Sequence, residues 1–547
     1  MHRPFSSFPA LRFVSLAALA ATGTALAARP LDQPAQAKRA ELPRVTVPTA
    51  YPAGGRAVRI GARANLQAAL DAARPGDVLL LPPGATYVGN FVLRNKSAVA
   101  GAPAGGWIVV RTDVPDAGLG AAGTRMTPTR AASVKLARVL SPNNWPAIGT
   151  ERAAHHWRLT GLEIAVTPAA RDMNMLVRFG DSGHEQRTPA AAPHHLVVDR
   201  SYLHGTPELD MKRCILLNSA TSAVIDSWLT ECHSNRGDSQ AVLAYNGPGP
   251  LKIENNYLAA GHEVLMFGGA DPAAPELTPS DVEVRGNHIT RPLSWKRKWQ
   301  VKNLFETKNV RRLLVEGNVL ENNWADAQNG FAFVLKAENQ DGSAPWSTSS
   351  DVTIRYNRIR NTGSVFNIAG MAGTGKVTTG ARFLVTHNLA EGINVGPYTA
   401  EGVAFQLLNG LTDAVITHNT ILNQNATASG VVVDGAPMQR LVMHSNVFQG
   451  GPYGVHGSGA GSGSGSLRQY APGAVFRRNV IVGVDCSAYS GETRCPARMT
   501  DVGFVNALKG DFRAGLGALR NRGFEGGDIG ADIDRIEAAT RGAIVAP

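Results

Sequence analysis

One local pattern of hydrophobic and polar positions recurs through the middle of the chain. A hydrophobic residue is followed by two variable positions, an Asn, one further position and another hydrophobic residue, and two early copies carry Ser in the Asn place. Most consecutive Asn centres are 31 residues apart. The centres are Ser201, Ser227, Asn256, Asn287, Asn318, Asn357, Asn388, Asn419, Asn446 and Asn479.

Each repeat also holds a second short apolar run that ends at a turn residue, as in the segments 241–247 and 431–435. Short strands joined by Gly or Asn turns, in steps of about 30 residues, are typical of the coils of a parallel β-helix. The step is too short for a propeller blade and too rich in β-branched residues for a helical repeat. We therefore predict an all-β protein, a right-handed parallel β-helix that forms one single-stranded solenoid of about ten coils, with a ladder of Asn side chains.

The N-terminus reads as a targeting segment. Arg3 and Arg12 supply positive charge, an apolar run follows Arg12, and Ala25-Leu26-Ala27 forms a small-residue cleavage site. This pattern predicts a signal peptide over residues 1–27 and a secreted or periplasmic protein. The apolar run is shorter than the roughly 20 residues needed to span a bilayer, so we expect no transmembrane segment after cleavage.

The rest of the chain divides by composition. Residues 28–58 are rich in Pro and Ala and predict an extended linker, residues 59–500 hold the β-helix, and residues 501–547 form a closing segment where the pattern fades. Asn65, followed by Leu66 and Leu70, predicts a capped amphipathic helix, since the open end of a solenoid must be covered against edge pairing.

The net charge of the chain indicates which binding partners it would suit. The formal net charge is +11, which suits a polyanion such as an acidic polysaccharide, although arginines solvated at the surface explain it equally well. Only 6% of residues are aromatic, and no basic stretch carries interleaved aromatics, so we expect no nucleic-acid partner. The 14 histidines show no HExxH or comparable spacing, which argues against a catalytic zinc. We expect a monomer.

Four cysteines follow the predicted signal peptide. Cys486 and Cys495 are nine residues apart in a loop-like segment and predict a local disulfide, which an oxidising compartment allows. Cys214 and Cys232 lie about one coil apart, and either a bridge between coils or simple packing fits their spacing.

The segment 295–309 differs from the corresponding part of the other repeats. Strand alternation places Lys302, Glu306 and Lys308 on one face, and on the other face Val301, Asn303, Phe305 and Thr307. Counting back from the coil Asn instead puts Glu306 in an inward column with Ala244 and Leu407. The next coil offers Lys336 as a neighbour for Lys308.

The chain resembles the pectate-lyase-like superfamily of right-handed parallel β-helices over residues 60–485. The resemblance rests on the helix, the strand, the turn Pro82-Pro83-Gly84 and the Asn-marked coils. It implies a carbohydrate-active protein, because most members are polysaccharide lyases or glycoside hydrolases and some are non-catalytic surface proteins. It also implies a site on the outer face of one sheet.

Within that superfamily, Glu306-Thr307-Lys308 is similar to the Glu-x-Lys strand of the chondroitinase-B and alginate-lyase type. The similarity implies Lys308 as the base that abstracts the proton α to a uronate carboxylate. It also implies Lys336 near the place of an assisting arginine, and Glu306 as a ligand of calcium, the candidate cofactor. Two features depart from the family pattern: Lys stands for Arg, and no second acidic residue adjoins Glu306.

These residues lead to a primary interpretation and two alternatives. We expect an exported lyase that cleaves a uronate-containing polymer by β-elimination. A glycoside hydrolase with paired carboxylates is one alternative, with Asp238 as a candidate catalytic residue, and a non-catalytic polysaccharide-binding or adhesin scaffold is the other. Substrate-binding candidates are Trp295, Trp299, Lys302 and Trp324, although loop-packing is an equal alternative for the tryptophans.

Overall fold

The structure is a computed structural model, and it describes residues 36–97, 106–183, 185–423 and 425–547. The predicted signal peptide, residues 1–27, and the first part of the predicted linker lie outside the described residues.

Three parallel sheets, here called A, B and C, run along the described part of the chain, and the chain visits them in that order in each coil. Sheet A has 14 strands: Arg56–Arg59, Asp77–Leu81, Ile108–Thr112, His155–Thr160, His194–Asp199, Ala220–Ile225, Leu251–Glu254, Ser280–Arg285, Val310–Glu316, Ser349–Arg355, Ala381–Thr386, Thr412–Thr417, Val442–His444 and Val475–Arg477. Sheet B has 13: Thr86–Val88, Ala137–Ser141, Leu162–Val166, Tyr202–His204, Trp228–Cys232, Tyr257–Ala260, His288–Thr290, Val319–Glu321, Arg358–Arg360, Leu389–Ile393, Thr420–Asn423, Val447–Gln449 and Val480–Val482. Sheet C has 12: Phe91–Leu93, Ile148–Thr150, Asp172–Phe179, Asp210–Leu217, Gln240–Ala244, Glu263–Phe267, Asn303–Thr307, Phe331–Glu338, Ser364–Ala372, Phe405–Leu408, Val431–Asp434 and Val455–His456.

This strand order is that of a right-handed parallel β-helix, and the predicted fold is confirmed. The stack is longer than the expected ten or so coils, because the first coils carry no Asn-centred pattern by which to count them. Helical segments are short: Leu66–Ala72, Asp116–Leu119, Pro128–Val134, Ser464–Tyr470 and Ile533–Ala539, with 3-10 turns at Pro189–Ala191, Pro275–Leu277, Leu293–Trp295, Cys486–Ala488, Met499–Asp501 and Ala507–Lys509. Across the described ranges, none of these helices has the length and apolar character needed to cross a bilayer.

The recurring Asn residues form the predicted ladder at the corner between sheets A and B. The carboxamide oxygen of Asn318 accepts bonds from both the main-chain N–H and the side-chain amide of Asn287, at 2.9 Å each. Its own amide donates to the carbonyl of Val284 in the preceding coil and to Asn357 in the next. Because these side chains are fully buried, they satisfy backbone groups that would otherwise be unpaired inside the protein.

The interior is a column of apolar side chains that match from coil to coil. Phe305, Phe333 and Phe366 stack at ring-centroid distances of 5.5 and 5.1 Å, and all three are fully buried. Both disulfides are present, with Cα atoms 5.8 Å apart for Cys214–Cys232 and 5.4 Å apart for Cys486–Cys495.

Residues 36–55 cross the outer face of sheet A as an extended strap before the first strand begins at Arg56. The main-chain N–H of Lys38 donates to Asp413, that of Glu41 to Asp351 and that of Arg44 to Asp281, at 2.9, 3.2 and 2.9 Å. Further along this strap, Val47 is buried against apolar side chains of sheet A, namely Val197, Ala223 and Ile225.

The two ends of the stack are covered by short segments. The helix Leu66–Ala72 begins at Asn65, whose side chain accepts from the N–H of Ala68 at 3.1 Å, as the sequence predicts. At the other end, the helix Ser464–Tyr470 places Leu467 and Tyr470 in the interior core. Further along the chain, Phe504–Asn506 and Asp511–Ala514 form an antiparallel pair, of which Phe504 and Ala514 pack with Val447 and Val480. The chain then returns along the corner of sheets A and B, where the carbonyl of Ala543 accepts from the buried Arg125 at 2.7 Å.

Candidate active site

The outer face of sheet C brings several of the predicted site residues together. Glu306 aligns with Met266 in the preceding coil and Val334 in the next, in an outward column. The inward column that holds Ala244 instead passes through Thr307. The alternative alignment from the coil Asn is therefore wrong, because loops of different length change the count between the Asn corner and this strand.

Lysines and glutamates of two neighbouring coils form one chain of ion pairs on this face. The Lys308 ammonium lies 3.3 Å from the Glu338 carboxylate, and the Lys336 ammonium lies 3.1 Å from the same carboxylate oxygen. Lys336 also lies 3.4 Å from Glu306, and Lys308 donates a hydrogen bond to Gln340. Two ammonium groups from adjacent coils thus share a single carboxylate.

A second group of charges adjoins the first. The Lys302 ammonium contacts Asp238 at 2.6 Å and Glu263 at 3.5 Å. Glu263 also accepts from the side-chain amide of Gln240 at 2.7 Å. Asp238 is exposed, whereas the Glu263 side chain is only 2% exposed, so the two carboxylates that share one lysine differ in their access to solvent.

Asn303 joins the two groups. It is the register neighbour of Glu263, and its amide nitrogen donates to Glu306 at 2.7 Å and to Gln328 at 2.8 Å. Its side chain therefore turns outward, and the prediction that Asn303 shares the inward face of Phe305 is wrong, because the chain bends as it enters the strand. Among the described residues, no donor reaches the buried carboxamide oxygens of Asn303 and Gln240.

Burial and neighbouring charges shift the pKa values of the carboxyl groups in opposite directions. Burial, together with Glu306 and Asp238, raises the pKa of Glu263 to about 7, against the opposing effect of Lys302. Burial opposes the charge on Asp238 as well, but the hydrogen bond to Lys302 and the charges of Lys302, His262 and Lys308 together outweigh it and lower the pKa of Asp238. The site thus holds one carboxylate that stays ionised and one carboxyl group that titrates near neutrality.

Two lysines of the site, Lys336 and Lys302, have raised pKa values. Burial works against the charge on Lys336, but Glu306 and Glu338 outweigh it and raise its pKa. For Lys302 the same opposition between burial and the carboxylates of Glu263 and Asp238 also ends in a raised pKa. A lysine with a raised pKa serves as a permanent cation that binds an anion and not as a proton acceptor.

A buried arginine supports the strands that carry these side chains. Arg291 is fully buried, and its guanidinium donates to the main-chain carbonyls of His262 and Asn303 at 3.2 and 2.8 Å and to the side chain of Asn323 at 2.5 Å. Burial lowers its pKa to about 9, which leaves it protonated at neutral pH. Arg291 therefore fixes the starts of two sheet C strands, where Glu263 and Asn303 lie.

The three tryptophans do not form the predicted sugar-binding surface. Trp295, Trp299 and Trp324 are 4%, 6% and 1% exposed. Trp299 stacks on His233 with ring centroids 3.9 Å apart, and Trp295 meets the same histidine edge-on. Substrate stacking needs an open ring face, so these residues pack the loop that delivers Lys302, and their predicted role is corrected.

An open depression lies beside Lys336 on the same face. It has a volume of about 280 Å³, and its walls include Gln328, Val334, Lys336, Asn367 and Asn409. Lys336 therefore borders an open space on one side and contacts the buried Glu306 at 3.4 Å on the other.

The donor set fits a divalent cation that prefers oxygen. Glu263 and Glu306 are carboxyl groups of adjacent coils, and Asn303, the register neighbour of Glu263, donates its amide nitrogen to Glu306 and keeps an unpartnered carboxamide oxygen. Carboxylate and carboxamide oxygens are the ligands that calcium takes in proteins. Glu263 supplies the second acidic residue that the sequence did not reveal beside Glu306.

Several residues of this site escaped prediction. Glu263 and Gln240 become neighbours of the predicted residues only through the pairing of strands from different coils, whereas Glu338 follows Lys336 by two residues on the same strand. Glu263 lies at the start of a sheet C strand, 40 residues before its register neighbour Asn303. The coils differ in length, so the sequence alone does not show that these two positions correspond.

No protein-family model matches the chain, and no curated protein matches it either. Solved structures do. It is similar to a mannuronic acid specific polysaccharide family 6 lyase from human gut microbiota, at 11% identity over 80% of this chain and 91% of that one, with a TM-score of 0.48. It is also similar to the catalytic unit of a GH87 alpha-1,3-glucanase from Streptomyces thermodiastaticus strain HF3-3, at 13% identity over 83% and 72% of the chains, with a TM-score of 0.47. Pectate lyase Pel9A matches at 13% identity over 87% and 96%, with a TM-score of 0.33. At these identities no residue role is transferable.

Proposed function

We propose that this chain is a carbohydrate-active β-helix that is exported from the cell and cleaves a uronate-containing polysaccharide by β-elimination on the outer face of sheet C. One observation carries the proposal: the ammonium groups of Lys308 and Lys336, from adjacent coils, share Glu338 at 3.3 and 3.1 Å, and Lys336 lines an open depression. A cation that binds a carboxylate and a nearby amine that accepts a proton are the two groups that elimination requires.

The proposed roles follow from the electrostatics. Lys336, with its raised pKa, binds the uronate carboxylate and stabilises the charge that develops on it. Lys308, in its neutral form, accepts the proton α to that carboxylate. The electron pair of the broken C–H bond forms the carbon–carbon double bond, the glycosidic C–O bond breaks, and the leaving oxygen takes a proton from solvent. Glu338 positions both lysines.

The charge balance makes calcium relevant to this proposal. The cluster contains four carboxyl groups, Asp238, Glu263, Glu306 and Glu338, against three lysines, Lys302, Lys308 and Lys336. A site with that excess repels a polyanion, and a calcium ion held by Glu263, Glu306 and Asn303 would reverse the balance and neutralise a substrate carboxylate. Lys336 would then exchange Glu306 for the substrate.

The test is an assay on a panel of uronate polymers with and without calcium. Elimination creates an unsaturated product with a new ultraviolet absorbance, and we expect Lys308→Ala to lower that rate by about 100-fold or more. Lys252→Ala, a lysine on sheet A that pairs with Glu254, is the matched control and should leave the rate unchanged. Full activity of Lys308→Ala would disprove the assignment of the base.

A second candidate, glycoside hydrolysis, is favoured by the other half of the site. Asp238 and Glu263 contact the same lysine at 2.6 and 3.5 Å, so the contacting oxygens lie at most about 6 Å apart, a bound that includes the roughly 5–5.5 Å that retaining glycosidases use. Their pKa values shift in opposite directions, as an acid and a nucleophile require. New reducing ends without the unsaturated product, lost in Asp238→Asn, would select this function, and polymer binding without either product would indicate a scaffold.

A further inference from the structure

Two pairs of consecutive histidines begin neighbouring strands of sheet A. His155 and His156 open the strand His155–Thr160, His194 and His195 open the strand His194–Asp199, and His155 aligns with His194. His156 and His195 have left-handed backbone conformations, with φ values of 57° and 53°. This conformation interrupts strand alternation, so both side chains of each pair lie side by side.

The four imidazoles form a two-by-two array. Between coils, the rings of His155 and His194 stack at 4.9 Å, and those of His156 and His195 stack at 4.4 Å. Within coils, the Nδ1 atoms are 2.8 Å apart in the first pair and 2.7 Å apart in the second. One ligand nitrogen from each of His156, His194 and His195 lies within 4.8 Å of the others.

In other coils, the residues at the same left-handed backbone position carry opposite charges and form ion pairs. Arg312 donates to Asp281 at 2.6 and 2.9 Å, and Arg382 donates to Asp351 at 2.6 and 2.7 Å. The histidine coils place imidazole against imidazole instead, which gives no ion pair and brings ring nitrogens together. Within each pair the two Nδ1 atoms share a hydrogen bond, and an ion bound by nitrogens of both pairs would connect the two coils.

We propose that this array is a binding site for a late first-row divalent metal ion, Zn²⁺ or Cu²⁺, with His156, His194 and His195 as its core ligands and His155 as the fourth. Imidazole nitrogen is a preferred ligand of both ions. Tetrahedral bonds of about 2.0–2.1 Å require ligand nitrogens about 3.3 Å apart. The stacked rings are almost parallel, with interplanar angles of 10° and 8°, so the half-buried side chains must rotate to bring their lone pairs to one ion.

Two neighbours support the array from outside. The hydroxyl of Ser97 lies 2.8 Å from Nε2 of His155, a contact that orients the ring as outer partners of metal ligands do. Trp107 meets His156 and His195 edge-on, at centroid distances of 5.3 and 6.4 Å, and shields the array.

The bound ion would join two coils across 39 residues of sequence, because His155 and His156 come from one coil and His194 and His195 from the next. The site lies on sheet A and is independent of the proposed lyase chemistry on sheet C. Its expected roles are therefore to bind metal and to stabilise the early coils of the solenoid.

The test uses the full chain without a histidine tag, stripped with a chelator and titrated with ZnCl₂ by calorimetry. We expect saturation at one ion per chain, and an affinity loss of about 100-fold or more in His156→Ala/His194→Ala. The matched control is His387→Ala/His418→Ala, because those rings also stack between coils, at 4.9 Å, but each coil supplies only one. The control should bind zinc like the unaltered chain.

A spectroscopic measurement on the unaltered chain keeps the proposal testable even if the double variant does not fold. One equivalent of Cu²⁺ should give an electron paramagnetic resonance spectrum split by three or four nitrogen ligands. Absence of saturable zinc binding, a copper spectrum without nitrogen splitting, or equal loss of zinc affinity in the control would overturn the proposal.

Discussion

Replacing Glu263 with Gln tests the electrostatics of the candidate site directly. The carboxyl group is buried and accepts from Gln240, and the charged groups that face it are Lys302, Glu306, Asp238 and the guanidinium of Arg291. Glutamine keeps the shape and the hydrogen-bonding oxygen but cannot ionise. The substitution therefore removes the cost of placing a second negative charge beside Glu306 in a buried position.

The size and sign of the effect follow from the pKa. Raising the pKa of Glu263 from 4.5 to about 7 is equivalent to about 3 kcal/mol, at about 1.4 kcal/mol per pH unit. Because the folded protein binds this proton more tightly than the unfolded chain, the stabilisation is complete below pH 4.5 and is lost as the pH rises through 7. The free energy of unfolding of the original protein should therefore fall with pH relative to that of Glu263→Gln, by up to about 3 kcal/mol.

Scanning calorimetry at pH 5 and pH 8.5 measures this difference. If the solenoid melts as one unit, about 3 kcal/mol corresponds to a relative shift in melting temperature of about 3 °C in favour of the variant at the higher pH. Glu338→Gln is the matched control, because Lys336 and Lys308 overcome its burial and lower its pKa. Its effect should be the same at both pH values. Parallel melting curves for Glu263→Gln and the original protein would refute the reasoning.

Two further predictions concern the scaffold. Asn318→Ala should lower the free energy of unfolding by about 2–4 kcal/mol in urea titration, because it leaves the buried N–H of Asn287 and the carbonyl of Val284 without partners. Asp351→Ala should expose the strap to limited proteolysis near Glu41, because the carboxylate that accepts the N–H of Glu41 is lost.

Each of these predictions has a control in the same chain. Asn322→Ala changes an asparagine outside the ladder, whose amide reaches Thr290 at 3.2 Å, and should cost much less than Asn318→Ala. Asp271→Ala removes a carboxylate that accepts loop N–H groups such as that of Gln340, and should leave the strap resistant. Equal effects in the control and test variants would contradict the stabilising role of the ladder and the protective role of the strap contacts.

The fold could be predicted because the asparagine ladder depends on residues that are close together in the sequence. Each ladder residue has the same neighbours in every coil, so the frame around Asn287 or Asn318 is visible without knowledge of the other coils. The capped helix after Asn65 is local in the same way. The Glu306 and Lys308 positions were found because they interrupt a regular pattern within one strand.

The rest of the site could not be predicted, because it depends on register between coils of unequal length. Glu263 meets Asn303 across 40 residues, whereas Thr307 meets Leu335 across 28. No fixed sequence step connects both pairs. The paired histidines were visible as two HH dipeptides, but their meaning depends on the alignment of His155 with His194, which only the stacked strands reveal.

The strap on sheet A is matched in length to the coils it crosses. Its bonded residues, Lys38, Glu41 and Arg44, are three apart, and their acceptors lie on every second strand of the sheet. Three extended residues span about 9.3 Å, and two coils span about 9.5 Å, so the two spacings stay in step. Lys38 bonds to Asp413, so residues made early in synthesis dock only after the coil of Asp413 has been made. A docked strap therefore requires that the solenoid has formed as far as that coil.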